Sequence, residues 1–235
     1  MKLEILSSEG EVARRGAALL AEAVSAHPQI VVALPTGRTP IALYQILAAQ
    51  RKAGTFDLSQ ATTFTLDEVL LPRAMPQTFF QFMTHYVWTP LGVSPEHRFM
   101  PDGETTDPEA ECLRYEAAIA EKGGLELAIL GIGVDGHIAY NLPGQAKART
   151  HLVTLDPKTI ASLGGDLQGP VRAITMGVET IRSARRIILL ATGSSKAEAL
   201  RRMREDPIDE GWPCTLFRDH ADLTVLADAS AAAQL

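Results

Sequence analysis

The sequence predicts an α/β protein, an open, mostly parallel, doubly wound sheet with helices on both faces in the Rossmann-like manner. Three observations predict it. Short, wholly apolar, β-branched runs recur along the chain, and such runs read as strands buried on both faces. Helical stretches alternate with them, the pattern of βαβ units. Polar motifs, three of them glycine-bearing, begin directly after four predicted strands, at the carboxyl edge where open parallel sheets bind ligands.

Taken in order, Ser8-Glu9-Gly10-Glu11 is a capping box, with the serine as N-cap and Glu11 at the third helical position; an amphipathic Ala/Leu-rich helix follows to about Ser25. Ile30 to Leu34 reads as a buried strand. Pro40 suits the first residue of a helix that runs to about Ala53 and stops at Gly54. Thr62 to Leu66 reads as a strand, Leu70 to Pro76 as a loop, and Gln77 to Trp88 as an aromatic-rich helix. A helix over Glu109 to Glu121 ends at Gly123-Gly124, and a strand over Leu125 to Leu130 follows. Pro143 to Gly169 is irregular in pattern and suits a lid or wrapping segment. The last elements are a strand over Arg186 to Ala191, a helix over Ser194 to Arg204 and a strand over Leu223 to Ala227.

A length of 235 residues suits one domain spanning 1–235, and 46% hydrophobic with 21% charged residues excludes a disordered chain. The formal charge is −6, and the one basic cluster (Arg201, Arg202, Arg204) sits among acids as a solvated helix face, so nucleic acid is not an expected partner. No apolar run approaches the roughly 18 to 20 residues that span a bilayer, and no membrane role is expected. Two distant cysteines, Cys112 and Cys214, show no metal-binding spacing and fit a reducing cytoplasm. No metal and no cofactor are expected. The oligomeric state is left open, a homo-oligomer included.

The four motifs carry the chemistry. In Pro35-Thr36-Gly37-Arg38-Thr39-Pro40, Gly37 permits close backbone approach and Thr39 can cap the following helix, so exposed N–H groups and the helix dipole favour an anion; an ordinary strand–turn–helix cap reads the same way. In Gly193-Ser194-Ser195-Lys196, a lysine in a first helical turn opposes the dipole unless an anion is present, while a solvated lysine is the plain alternative. Asp67-Glu68 leaves a buried strand, where desolvation raises a carboxyl toward the range of a general base; a turn or cap carboxylate is the alternative. Gly131 to Asn141 is the most informative stretch: Asp135 stands two residues before His137 and can fix its tautomer and stabilise its charged form. There is no Gly-x-Ser-x-Gly elbow and no Walker A spacing.

These motifs, with Thr175-Met176-Gly177-Val178, resemble in content and order the glucosamine-6-phosphate deaminase family, whose superfamily also holds the 6-phosphogluconolactonases. The resemblance implies an enzyme of hydrolase and isomerase character that converts an amino-sugar 6-phosphate to a ketose 6-phosphate and ammonia without a redox cofactor. It implies that Asp67 moves a proton between C2 and C1, and that His137, oriented by Asp135, assists ring opening. Gly37, Arg38, Thr39 and Lys196 would hold the 6-phosphate, with Thr36, Glu68 and Gly133 as further substrate contacts. The chain departs from the pattern at Leu142, where the family has a glutamate supporting the histidine, and between Leu155 and Asp166, where it has a phosphate-binding arginine; Arg38 is the expected substitute. His151 and Val153 stand where some members have basic allosteric positions. Leu142-Pro143-Gly144 and Arg172 to Thr175 resemble lactonase segments, although Val69 stands where lactonases have arginine. The lactonase, and a sugar-phosphate sensor weakened at Leu142, are the two alternatives.

Overall fold

The protein is described by a computed structural model covering residues 1–167 and 169–235. In chain order the elements are β1 (Lys2–Leu6), α1 (Glu9–Ala26), β2 (Val31–Leu34), α2 (Ile41–Lys52), β3 (Thr62–Thr65), β4 (Asp67–Val69), α3 (Phe79–Met83), α4 (Thr89–Leu91) and β5 (Arg98–Phe99). They continue as α5 (Pro108–Glu121), β6 (Leu127–Gly131), β7 (His151–Thr154), α6 (Pro157–Leu163), β8 (Arg172–Thr175), α7 (Val178–Arg182), β9 (Arg186–Ala191), α8 (Ala197–Glu205) and β10 (Leu223–Asp228).

Seven strands form one wholly parallel sheet in the order β1-β10-β9-β6-β2-β3-β5. Successive residues of each strand feed opposite cores, as the pleat requires. Val31 and Ala33 of β2 pack with Tyr115 and Ile119 of α5 and Leu200 of α8. Val32 and Leu34 pack instead with Leu20 of α1 and Leu43 and Leu47 of α2. The sheet is therefore covered on both faces, as its apolar runs predict. From β2 the chain winds outward through β3 to β5; from β6, the neighbour of β2 on the other side, it winds through β9 to β10. The direction of winding reverses between β2 and β6, and a crevice opens there beyond the carboxyl ends of the strands.

The sequence reading misses the second sheet. At Leu66 the chain leaves the large sheet, and β4 joins β8 and β7 in a three-stranded antiparallel sheet. The segment expected to be irregular thus holds a strand and a helix, and α6 is capped by Asp156, which accepts from the N–H groups of Lys158 and Thr159. Edge strand β1, in which Lys2 and Glu4 alternate with Leu3 and Ile5, also escapes the reading. The predicted helix over Gln77 to Trp88 breaks into α3 and a π turn over Thr84–Trp88. Pro90 supplies no N–H and its ring would crowd the preceding turn of an α-helix, while the Thr84 hydroxyl donates to the Phe80 carbonyl at 2.7 Å; both favour the wider turn.

Glu116 ties the small sheet to the large one. Its carboxylate accepts from Thr150 N (2.8 Å) and Oγ1 (2.6 Å), from Thr180 Oγ1, and from Arg149 Nη1 at 3.3 Å. Burial works to raise its pKa, but the threonine donors outweigh that and hold it below the usual value. Glu116→Ala leaves four donors without their acceptor, three of them part-buried, and is expected to cost about 2–3 kcal/mol in urea unfolding.

Candidate active site

Four adjacent central strands, β9, β6, β2 and β3, run into the four motifs, so all four lie along one edge and flank the crevice between β2 and β6. After β2, the Tyr44 hydroxyl donates to the Pro35 carbonyl at 2.7 Å and fixes the strand end. Gly37 and Arg38 are exposed, and among the described residues the backbone N–H groups of Gly37, Arg38 and Thr39 have no hydrogen-bond acceptor. Space is open where a side chain at Gly37 would begin. The expected Thr39 cap does not form: Pro40 is already helical at φ −79°, ψ −9°, no side chain caps α2, and Ile41 N donates to Arg38 O across the turn. The loop is left as an open row of donors beside Thr36.

After β9, Gly193 N donates to both oxygens of the buried Asp228 carboxylate, each at 3.1 Å, which pins the turn that presents Lys196. Burial lowers the Lys196 pKa; the Asp135 carboxylate raises it, and Arg38 and Lys158 lower it further. Arg38, Lys158, Lys196 and Asp135 therefore share one electrostatic neighbourhood. The sequence reading finds no arginine between Leu155 and Asp166 to match the family's; Lys158, on the first turn of α6, places a lysine there. The conflict with the helix dipole that singles out Lys196 is also present at Lys158.

After β6, His137 Nδ1 lies 2.6 Å from Asp135 Oδ1 in a contact that is not aligned as a hydrogen bond, while His137 N donates to the same oxygen at 3.3 Å. Burial works to raise the Asp135 carboxyl, but the His137 contacts outweigh it and hold it at about 2. The contact leaves Nε2 as the ring nitrogen for substrate. Gly133, expected as a substrate contact, plays a different part. Its N–H is spent on His137 O at 2.9 Å, and a Cβ there would collide with Nδ1, Cγ and Cε1 of the ring. The imidazole lies against bare backbone. Farther along the loop Ala139 adopts φ 52°, a left-handed conformation that costs roughly 1 kcal/mol outside glycine.

Asp67 opens β4 opposite Thr175 of β8, and Thr175 Oγ1 accepts from Tyr140 N at 3.0 Å, so Asp67 and the His137 loop are joined through one residue. Asn141 adds a second tie, donating to Ile138 O and Met176 O. Asp67 is 5% exposed and, among the described residues, receives no hydrogen bond at its carboxyl. Burial, reinforced by the neighbouring Glu68, pushes it up to about 8. Glu68 points the other way and is not a ligand-facing group. Its oxygens accept from Val69 N and Phe79 N (both 2.8 Å) and Phe80 N (2.7 Å), holding the start of α3; burial pushes it up to about 7 against those amides. Leu142 is 2% exposed and packs with Val69, Tyr140, Val153 and Leu155, so its position carries no ionisable group, and among the described residues Asp135 alone pairs with the histidine.

A buried, unbonded carboxyl and an Asp–His pair set beside a row of open backbone N–H groups at a topological switch point are the arrangement of an α/β enzyme site. The chain belongs to the glucosamine-6-phosphate isomerase/6-phosphogluconolactonase family, whose model matches residues 7–226. Within that family it is 37% identical to glucosamine-6-phosphate deaminase 2 of Bacillus subtilis over all of this chain and 98% of the relative. It is 38% identical to the glucosamine-6-phosphate deaminase of Halothermothrix orenii, with both chains fully covered. A solved monomeric glucosamine-6-phosphate deaminase superposes over the whole of both chains with a TM-score of 0.93 at 35% identity. The 6-phosphogluconolactonase of Trypanosoma brucei shares the fold, with a TM-score of 0.79 at 19% identity over 100% of this chain and 98% of that one. No helix among the described residues is long and apolar enough to cross a membrane.

Proposed function

We propose that this chain converts glucosamine 6-phosphate to fructose 6-phosphate and ammonia, with net uptake of water. The observation that carries the reading is Asp67, a buried carboxyl without a hydrogen-bond donor among the described residues, raised to about 8, on the same sheet edge as the Gly37–Thr39 amides, Arg38 and Lys196, with Lys158 of α6 in their electrostatic neighbourhood. The 6-phosphate takes those amides with Arg38, Lys158 and Lys196. His137 Nε2 accepts the proton of the C1 hydroxyl and returns it to the ring oxygen as the C1–O5 bond breaks. Asp67 removes the C2 proton of the open aldehyde while a proton of the 2-ammonium passes to the C1 oxygen to give the enolamine; Asp67 then returns its proton to C1, and the nitrogen lone pair closes the C2 iminium. The C2 iminium so formed adds water and expels ammonia. A carboxyl near 8 suits this shuttle, because a base poised near the working pH both takes and gives up a proton.

The test is to follow ammonia and fructose 6-phosphate together from glucosamine 6-phosphate. Release of both in equal amounts supports the reading; no product from this sugar, with hydrolysis of 6-phosphogluconolactone above its spontaneous rate, overturns it in favour of the lactonase. Binding of glucosamine 6-phosphate without turnover of either compound favours the sensor. The phosphate handle predicts its own signature. Lys196→Ala is expected to raise KM about 10- to 100-fold, the worth of one charge-assisted contact, and Lys158→Ala about threefold from its exposed position. Unchanged KM in both variants places the phosphate elsewhere.

A further inference from the structure

The loop that carries Asp135 and His137 is braced from behind by a segment near the C-terminus. Gly136 stands between the pair at φ 78°, and a Cβ on it would lie 2.9 Å from both Trp212 Cε3 and Cys214 Sγ. The backbone of the loop therefore rests directly on an indole edge and a thiol. Cys214 N donates to Gly136 O at 2.7 Å, and Gly144 N, beyond the loop, donates to Glu210 O at 3.1 Å. The bracing segment is itself cross-tied. Trp212 N donates to Asp209 O at 2.9 Å; Thr215 Oγ1 donates to Trp212 O at 2.8 Å and accepts from Asp209 N at 2.9 Å. The Arg202 guanidinium lies 4.4 Å from the Trp212 ring centroid and is held there by Glu198 (2.7 Å) and Asp206 (3.1 Å).

We infer that Trp212 is a positioning residue for the Asp135–His137 pair: its indole, clamped by Arg202, fixes the Gly136 backbone and with it the approach of the imidazole to the sugar. None of these groups is an acid or base of the reaction. The brace acts because the two residues it orients flank the glycine it touches, and a glycine at positive φ with no side chain is held only by its backbone bonds to Gly133 O and Cys214 N and by the surface it rests on. A displacement of about 1 Å at a reacting group is enough to lower a rate by orders of magnitude. The inference rests on the deaminase reading for its kinetic consequences but not for its structural one.

The experiment compares wild type, Trp212→Ala, Trp212→Phe and Arg202→Ala in two measurements. In steady-state turnover of glucosamine 6-phosphate, Trp212→Ala is expected to lower kcat about tenfold or more with KM within about twofold, Trp212→Phe to restore most of it, and Arg202→Ala to lower kcat about two- to threefold. In hydrogen exchange without substrate, the amides of 133–137 are expected to exchange faster in Trp212→Ala than in wild type while β6 and β9 stay protected. Wild-type kcat in Trp212→Ala, no rescue by phenylalanine, or unchanged exchange at 133–137 overturns the inference. If Trp212→Ala does not fold, Arg202→Ala decides, and unchanged kcat and exchange in that variant overturn it. A wild type that turns over no glucosamine 6-phosphate defeats the functional reading alone, and the exchange measurement then decides the brace.

Discussion

Replacing Asp67 by asparagine is expected to lower kcat for glucosamine 6-phosphate about a thousandfold while leaving phosphate binding in place. The carboxylate is the group that carries the C2 proton, and a positioned acid/base group contributes about 10²- to 10⁴-fold. The same side chain predicts two pH effects. Because the base form is the active one, kcat/KM of the wild type should rise with pH through about 8 and lose that limb in the variant. The stability effect has the opposite direction. The folded pKa is raised above the ordinary 3.8, so the folded state holds a proton that the unfolded chain releases. The cost of ionising Asp67 in the fold is absent below the ordinary value, grows as pH rises toward about 8, and is full above that. Asp67→Asn should therefore be more stable than wild type by about 1–3 kcal/mol near pH 9, with the gain vanishing near pH 4. Urea unfolding at the two pH values checks the sign; an equal difference at both would contradict the burial argument.

Gly133→Ala carries the second large effect. The backbone at Gly133 has no positive φ, so alanine is tolerated there by the chain itself; what it cannot share is the space held by the His137 ring. The methyl group must push the imidazole away from Asp135 or tilt it out of line. We expect kcat to fall about a hundredfold with KM little altered, approaching the loss in His137→Gln, and a drop in thermal stability of only about 1–2 kcal/mol. Full activity in Gly133→Ala would mean that the ring moves freely in turnover and that its rest position against bare backbone has no catalytic value.

The sheet edge was legible from sequence because its signals are local. A short β-branched or apolar run followed at once by a polar motif needs no knowledge of distant residues, and β2, β3, β6 and β9 are all found that way. The small sheet was not legible because β7 and β8 are only four residues each and make their pairings over long sequence separations, Asp67 with Thr175 and His151 with the same residue. Asp67 could be placed at the end of a strand, but not the fact that it begins another. Glu68 reads like its neighbour in the sequence, and only the amides of Phe79 and Phe80 give it a different task. Lys158 was within reach of the dipole argument that picked out Lys196. Trp212 had no local signal at all: its significance lies in a contact with Gly136, 76 residues earlier.

The adjacent acids Asp67 and Glu68 also bear on how the protein avoids assembling wrongly. Side chains alternate across a strand, so a one-residue slip of β4 against β8 would exchange their places. Aspartate, one methylene shorter, would then stand where three amides await a glutamate, and a glutamate would crowd the space beside Thr175. The misaligned pairing would forfeit the start of α3 as well as the proton carrier. Two residues that look interchangeable thus proofread the reading frame of the sheet between them, and a chain that folds stably has, by the same contacts, folded with its base in position.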